Sequence, residues 1–284
     1  LSAALNDIAG RAGNSAAVGT SSNTVVSGTK LYMTIYNTQN WSGSIKQLNI
    51  NASGGIDTVP NWEVDQSTIW PSTRNIFTFK DSSTKGIPFE FSNLAATDQL
   101  FFTTAKSTLF AGRVTENEII EYIKGSQVKE KNQPNGEFRI RTSLLGDIVS
   151  SSPQYVGQGE NDGYQYLPTG ANGKTSYFSF YTGIKKTRPA RVYVGANDGM
   201  LHAFNATTGM EDFAYVPKTV LKDLPKLADP AYTHQFYVDG TPTVADAYVN
   251  GWKTVLVGTT GAGGRGVFAL DVTNGTGFSS TDVL

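Results

Sequence analysis

RVYVGANDGMLHAFNATTG, residues 191–209, decides the fold. VYVG reads as a strand ending in glycine, ANDG as a tight turn, and MLHAFN as a second strand with alternating apolar positions. NATTG then reads as a second turn. The second half of this unit recurs twice, as GSIKQLNINASG (43–54) and GVFALDVTNG (266–275). Each copy runs from a glycine through alternating apolar residues to Asn49, Asn205 or Asp271, and then to a glycine-ended turn. VLVG (255–258) matches VYVG (192–195), and the two are preceded by GTPTVADAYV (240–249) and SSPQYVG (151–157). Short strands repeated in this way predict antiparallel four-stranded propeller blades. Glycine supplies the positive φ at each reversal, and Asn49, Asn205 and Asp271 are expected to cap the turns by accepting backbone N–H groups.

A bare blade needs about 40–50 residues. The interval from Asn49 to Asn205 is far longer, so insertions are expected at about 80–137 and 158–190. The sequence thus predicts an all-β, β-propeller-like domain over 30–284, with helical and loop insertions and an incomplete ring. A blade edge left open in such a ring is an aggregation hazard. Residues 1–29, small and rich in Gly and Ser after a short apolar stretch with helical spacing, read as a leading segment or linker. LYMTIY (31–36) and WSGSIKQLNI (41–50) read as a hairpin with one buried face, and SYFSFY (176–181) alternates as a strand would. TENEIIEYIKG (115–125) is the clearest helix, with a capping box from Thr115 to Glu118 and Gly125 as its stop.

Composition narrows the function. The 284 residues carry 23 Lys+Arg against 24 Asp+Glu, a net charge of −1, which argues against a basic nucleic-acid binder. The absence of cysteine excludes disulfides, thiolate metal sites and Cys nucleophiles. No apolar run is long enough for a transmembrane helix. The chain starts at Leu1 without a basic leader and reads as a piece of a longer polypeptide.

AFNATTGMEDF (203–213) resembles the quinoprotein-dehydrogenase propeller repeat, with Asn205 in place of its Asp and Phe213 where its blade-docking Trp would stand. A broader resemblance covers about residues 31–275. FRIRTSLLGDIVSSSPQYVG, RVYVGANDGMLHAFNATTG and YVDGTPTVADAYVNG followed by WKTVLVGTTGAGGRGVFALDVT are similar to the C-terminal propeller of the PilC/PilY family. NWSGSIKQLNI, RNIFTF and IIEYIKGSQ lie upstream in that family's order. The resemblance implies a non-enzymatic type IV pilus tip factor, exported to the cell surface, outer membrane or periplasm. It would support pilus assembly and adhesion, with pilin and minor pilins and a host-cell or surface receptor as partners. The family's calcium loop lies beyond GGRGVFALDV, and this chain stops at TDVL, so no cofactor is expected within it.

The residues offer few rivals. A quinoprotein dehydrogenase would need clustered acids, and a generic surface-complex scaffold would need nothing in particular. Glu160, Asn161 and Asp162 faintly echo a calcium loop, but three side chains fall short of about six oxygens, and a plain turn is the better reading. His202 and His234 have no evident carboxylate partner in the sequence. GTTGAGGRG (258–266) lacks the ending of a P-loop and reads as a blade turn. Tyr164, Tyr166, Tyr177, Phe178, Phe180 and Tyr181, set among small polar residues, are either a partner-contacting surface or the buried face of a strand pair.

Overall fold

The computed structural model describes residues 15–21, 28–65, 68, 70, 73–159 and 161–284. The short stretch 1–10 and Glu160 lie outside the described residues. The first sheet is a meander of β1 (Ser15–Thr20), β2 (Lys30–Asn37), β3 (Ser42–Asn49) and β4 (Trp62–Val64). Residues 15–20, grouped by sequence with the linker, pair with β2 along Leu31–Ile35. Valine, threonine and small residues suffice there because the ladder, not local propensity, holds them.

The hairpin β2–β3 is in register from Lys30↔Asn49 to Asn37↔Ser42. Its expected single buried face is a correction: Leu31, Tyr32, Met33 and Thr34 are all buried. Leu31 and Met33 meet Leu48, Ile50 and Ile56 on one face, and Tyr32 meets Ile45 and Val64 on the other. A neighbouring sheet covers the second face, which a single-strand pattern cannot reveal.

The second sheet has the order β6-β5-β10-β9-β8-β7. Its upstream strands are β5 (Ile76–Thr78) and β6 (Ile87–Pro88), and then β7 (Gln154–Val156), β8 (Arg191–Ala196), β9 (Met200–Asn205) and β10 (Glu211–Tyr215) form an antiparallel blade. β5 joins this blade parallel to β10, with Ile76 opposite Ala214 and Phe77 opposite Tyr215. Every residue of β8 is buried, as expected of a central strand covered on both faces. The third sheet is β11 (Thr243–Tyr248), β12 (Trp252–Thr259) and β13 (Val267–Asp271). The turn residues Asn49, Asn205 and Asp271 thus end the third strand of each repeat.

The sheets stack like successive blades. Tyr32, Ile45 and Val64 of the first meet Val192, Val194 and Phe204 of the second. Tyr193, Leu201 and Phe213 on the opposite face of the second meet Leu256, Phe268 and Leu270 of the third. Phe213 fills the docking position read for it and stacks on Phe278, with ring centroids 3.6 Å apart. Full burial of each such side chain contributes about 1.5–3 kcal/mol, so these two interfaces dominate blade association.

Between β6 and β7 lie α1 (Ala96–Thr108) and α2 (Glu116–Ile123), which bury Phe102, Ile119, Ile120 and Ile123 against Met200 and Ala214 at the end of the second sheet. Thr115 caps α2: its hydroxyl accepts from the Glu118 amide, and the Glu118 carboxylate accepts from the Thr115 amide. Thr115→Ala is expected to lower the unfolding free energy by about 1 kcal/mol, and Thr115→Ser to restore most of it, read as shifts of the urea midpoint. The stretch IPFEFSN holds only two strand residues before a 3-10 turn at Phe91–Asn93. The glycine-rich 258–266 segment joins β12 to β13, where a Cβ on Gly263 would sit 1.9 Å from the Tyr237 carbonyl oxygen. SYFSFY is also a correction: it forms a short helix, α3 (Tyr177–Phe180), running into a π-helical turn, Tyr181–Lys185. The i,i+3 pair Tyr177 and Phe180 then shares one face, which packs on Trp252.

Candidate functional site

The first strands of the three repeats, β1, β7 and β11, lie near one another, with β7 in contact with both of the others. Their far edges are joined to the rest of their sheets, so their near edges border a common cleft of about 500 Å³. Thr20 and Ser21 come from the end of β1, Gln154 and Tyr155 from β7, and Val244 and Asp246 from β11. The 158–190 insertion closes one wall with Asp162, Tyr164, Lys185 and Arg188.

A charge cluster organises that wall. Lys185 donates to Asp162 and, at 2.8 Å, to Asp246. The Tyr177 hydroxyl lies 3.0 Å from an oxygen of each carboxylate. Asp246 also accepts from the Thr254 hydroxyl at 2.8 Å. Lys185 and Asp246 are buried, whereas Asp162 stands at the rim with a half-exposed side chain. Burial pushes the Tyr177 phenol up, and the two carboxylates push it further. Burial works against the charged form of Asp162, but the bonds from Lys185 and Tyr177 hold its carboxyl below the usual range. Arg188 approaches from below: Nε donates to the Gly157 carbonyl at 2.7 Å and Nη1 to Thr254 Oγ1 at 2.7 Å. Burial lowers its pKa.

The sequence-selected residues divide between this wall and the outer surface. Tyr177 is fully buried and Phe180 nearly so. Tyr164, Tyr177 and Phe180 surround Trp252, whose indole N–H donates to Gly173 O at 2.8 Å and pins the insertion to β12. Tyr166, 83% exposed, and Phe178, 55% exposed, face outward, and Tyr181 sits between with Lys186 over its ring. Asn161 closes its own turn, its Oδ1 accepting from the Gly163 amide at 2.9 Å, and Asp162 faces Lys185. Asn205 Oδ1 accepts from the Thr207 and Thr208 amides, and Asp271 Oδ1 from the Thr273 amide. Asn49 differs. Its side chain bonds Asp57, Asn61 and Lys30, and Asn51 caps that turn instead, accepting from the Ser53 and Gly55 amides.

Both histidines have carboxylate partners that sequence reading missed. His202 is buried, with Nδ1 2.7 Å from Glu211 and Nε2 3.1 Å from Asp198. Arg74 clasps the same Glu211 through Nε at 2.6 Å and Nη2 at 2.7 Å, and lies 4.7 Å from the Trp70 ring centre. Burial disfavours the imidazolium, yet Asp198 and Glu211 overcome it and hold His202 up at about 9. Burial likewise opposes the Glu211 charge, but Arg74 and His202 bring it down to about 2. His234 stacks on Trp41 at 3.8 Å and bonds Asp147 at 2.8 Å. Asp198 lies four positions before His202, but Glu211 and Arg74 meet it only through sheet pairing. With both ring nitrogens engaged, His202 has none left for a ligand, and this network is an internal clasp.

Stacked antiparallel repeats of three or four strands, with β1, β7 and β11 around a cleft, define a propeller-class domain. Residues 145–282 match the model of the PilY1 beta-propeller domain, and this part of the chain belongs to that family. The chain is 38% identical over 244 residues to the type IV pilus biogenesis factor PilY1 of Pseudomonas aeruginosa strain UCBPP-PA14, a match covering 83% of this chain and 20% of that protein. It is 36% identical over 311 residues to a PilY1 homolog of Xylella fastidiosa, covering 99% of this chain and 21% of the homolog. Another X. fastidiosa homolog is 42% identical over 200 residues, covering 66% of this chain and 16% of that one. The chain therefore spans about a fifth of the length of these curated relatives. The crystal structure of the P. aeruginosa PilY1 C-terminal domain aligns with 43% of this chain and 23% of its own, at 46% identity and a TM-score of 0.33.

Proposed function

We propose that this chain is the propeller portion of a type IV pilus biogenesis factor, acting without catalysis as a rigid scaffold at the exported pilus tip. The similarity to PilY1 proteins over nearly the whole chain carries this reading. The fold fits the role. Stacked sheets supply the rigidity, and the 158–190 insertion, pinned by Trp252, presents Tyr166 and Phe178 to solvent as a surface for pilin, minor pilin or receptor contacts. No helix among the described residues is long and apolar enough to cross a membrane. Cells lacking the gene are expected to lose surface pili, and to regain them when retraction is also blocked, as counted by electron microscopy. Unchanged pilus numbers in both backgrounds would remove the biogenesis role.

A further inference from the structure

We propose that the cleft between β1, β7 and β11 binds an acidic sugar, with its carboxylate on Arg188. The inference names a ligand class for the adhesive side of the reading above and rests on that reading only for its biological setting. Arg188 is 7% exposed and lines the cleft. Its Nε and Nη1 are taken by Gly157, Thr254 and, at 3.4 Å, the Thr273 carbonyl, and Nη2 bonds no described residue. These partners are neutral. The two nearby carboxylates are engaged elsewhere, Asp246 by Lys185, Thr254 and Tyr177, and Asp162 by Lys185 and Tyr177. No carboxylate among the described residues bonds Arg188 directly, Asp246 reaching it only through the Thr254 hydroxyl, and a planar anion arriving through the cleft would complete the guanidinium fork.

The rest of the cleft selects what carries that anion. Gln154 and Gln158 offer amide groups, while Tyr155 and Tyr164 offer ring faces, and the aliphatic lining is slight. Such a surface suits a polyhydroxylated ring better than a peptide, which would need an apolar side-chain pocket. A volume of about 500 Å³ accommodates one or two sugar rings. The proposal therefore concerns uronic-acid-type sugars, bound in the cleft between β1, β7 and β11 and not on the exposed aromatic surface.

Titration of the purified chain with digalacturonate, followed by calorimetry, tests this against the neutral digalactoside and an acidic tetrapeptide. Digalacturonate is expected to bind at least tenfold more tightly than either. Arg188→Lys, which keeps the charge but loses the planar fork, is expected to weaken it about tenfold. Gln158→Ala, at an exposed position on the rim, is expected to weaken it about threefold. Equal binding of the neutral sugar, preference for the peptide, or an Arg188→Lys protein that folds and binds as before would each overturn the proposal. Should Arg188→Lys not fold, unchanged binding by Gln158→Ala overturns it. The titration needs no pilus. If it fails while the pilus counts behave as expected, this inference falls and the biogenesis role stands.

Discussion

Glu211→Ala is expected to lower the unfolding free energy by about 3–5 kcal/mol, enough to threaten folding at ordinary temperature. The side chains of Glu211 and Arg74 are 1% and 6% exposed, and both Arg74 nitrogens on the shared carboxylate would be left in a site that excludes water. His202 would lose its Nδ1 partner at the same time. A loss below about 1 kcal/mol would mean that water reaches Arg74 and that the clasp is not sealed. The network also gives stability a definite pH dependence. His202 is held at about 9, above its ordinary value near 6.5, so its contribution is complete below about pH 6.5 and disappears as pH rises through 9. Glu211 is held at about 2, below its ordinary value near 4.5, so its contribution is present above about pH 4.5 and is lost as pH falls through 2. The clasp is strongest between these limits. Urea unfolding should show stability declining by up to about 3 kcal/mol from pH 6.5 to 9, and His202→Gln should flatten that decline. An unaltered slope in His202→Gln would assign the decline to other groups.

Lys185→Ala is expected to cost about 2–4 kcal/mol at neutral pH. It leaves the carboxylates of Asp162 and Asp246 around the Tyr177 hydroxyl with no cation between them, and Asp246 is only 2% exposed. The half-exposed Asp162 softens the effect, because water screens its share. The deficit should shrink on acidification, since protonating either carboxylate relieves the repulsion. Hydrogen exchange should quicken first across 158–190, which this cluster ties to β11. A deficit that does not change between pH 7 and pH 4 would show that lost packing, not charge, sets the cost.

What could be read in the sequence was local. The capping box at Thr115, the turn at Asn205 and the strands VYVG and MLHAF each lie within a dozen residues, and each appears where the pattern put it. Partners distant along the chain were illegible. Nothing in RNIFTF announces that it will lie parallel to β10, because three residues pair as readily with one edge as with another. His202 shows the same limit, since alternation along β9 does not say which carboxylate the neighbouring strand supplies. SYFSFY misled because aromatic alternation over six residues fits a strand, and only Trp252, seventy positions on, favours a helical face. The cleft had one faint signal: Asp246 sits in the middle of the strand TVADAY, where an acid must find a cation or remain exposed.

The parallel seam between β5 and β10 bears on how the protein comes into being. Thr78 reaches its bonding partner Val216 across 138 positions of chain. At about 5–20 residues per second, a ribosome needs roughly 7–30 s to supply that partner. For that interval the newly made β5–β6 hairpin has an unclaimed edge. The segment that follows directly, α1 and α2, can cover Phe89 with Phe102 and Ile119, but Ile76 still awaits Ala214. A nascent chain paused there is a half-built apolar surface exposed to whatever is nearby. Slowing translation between codons 88 and 214 should therefore raise the demand for chaperone protection, while slowing it after codon 216 should not.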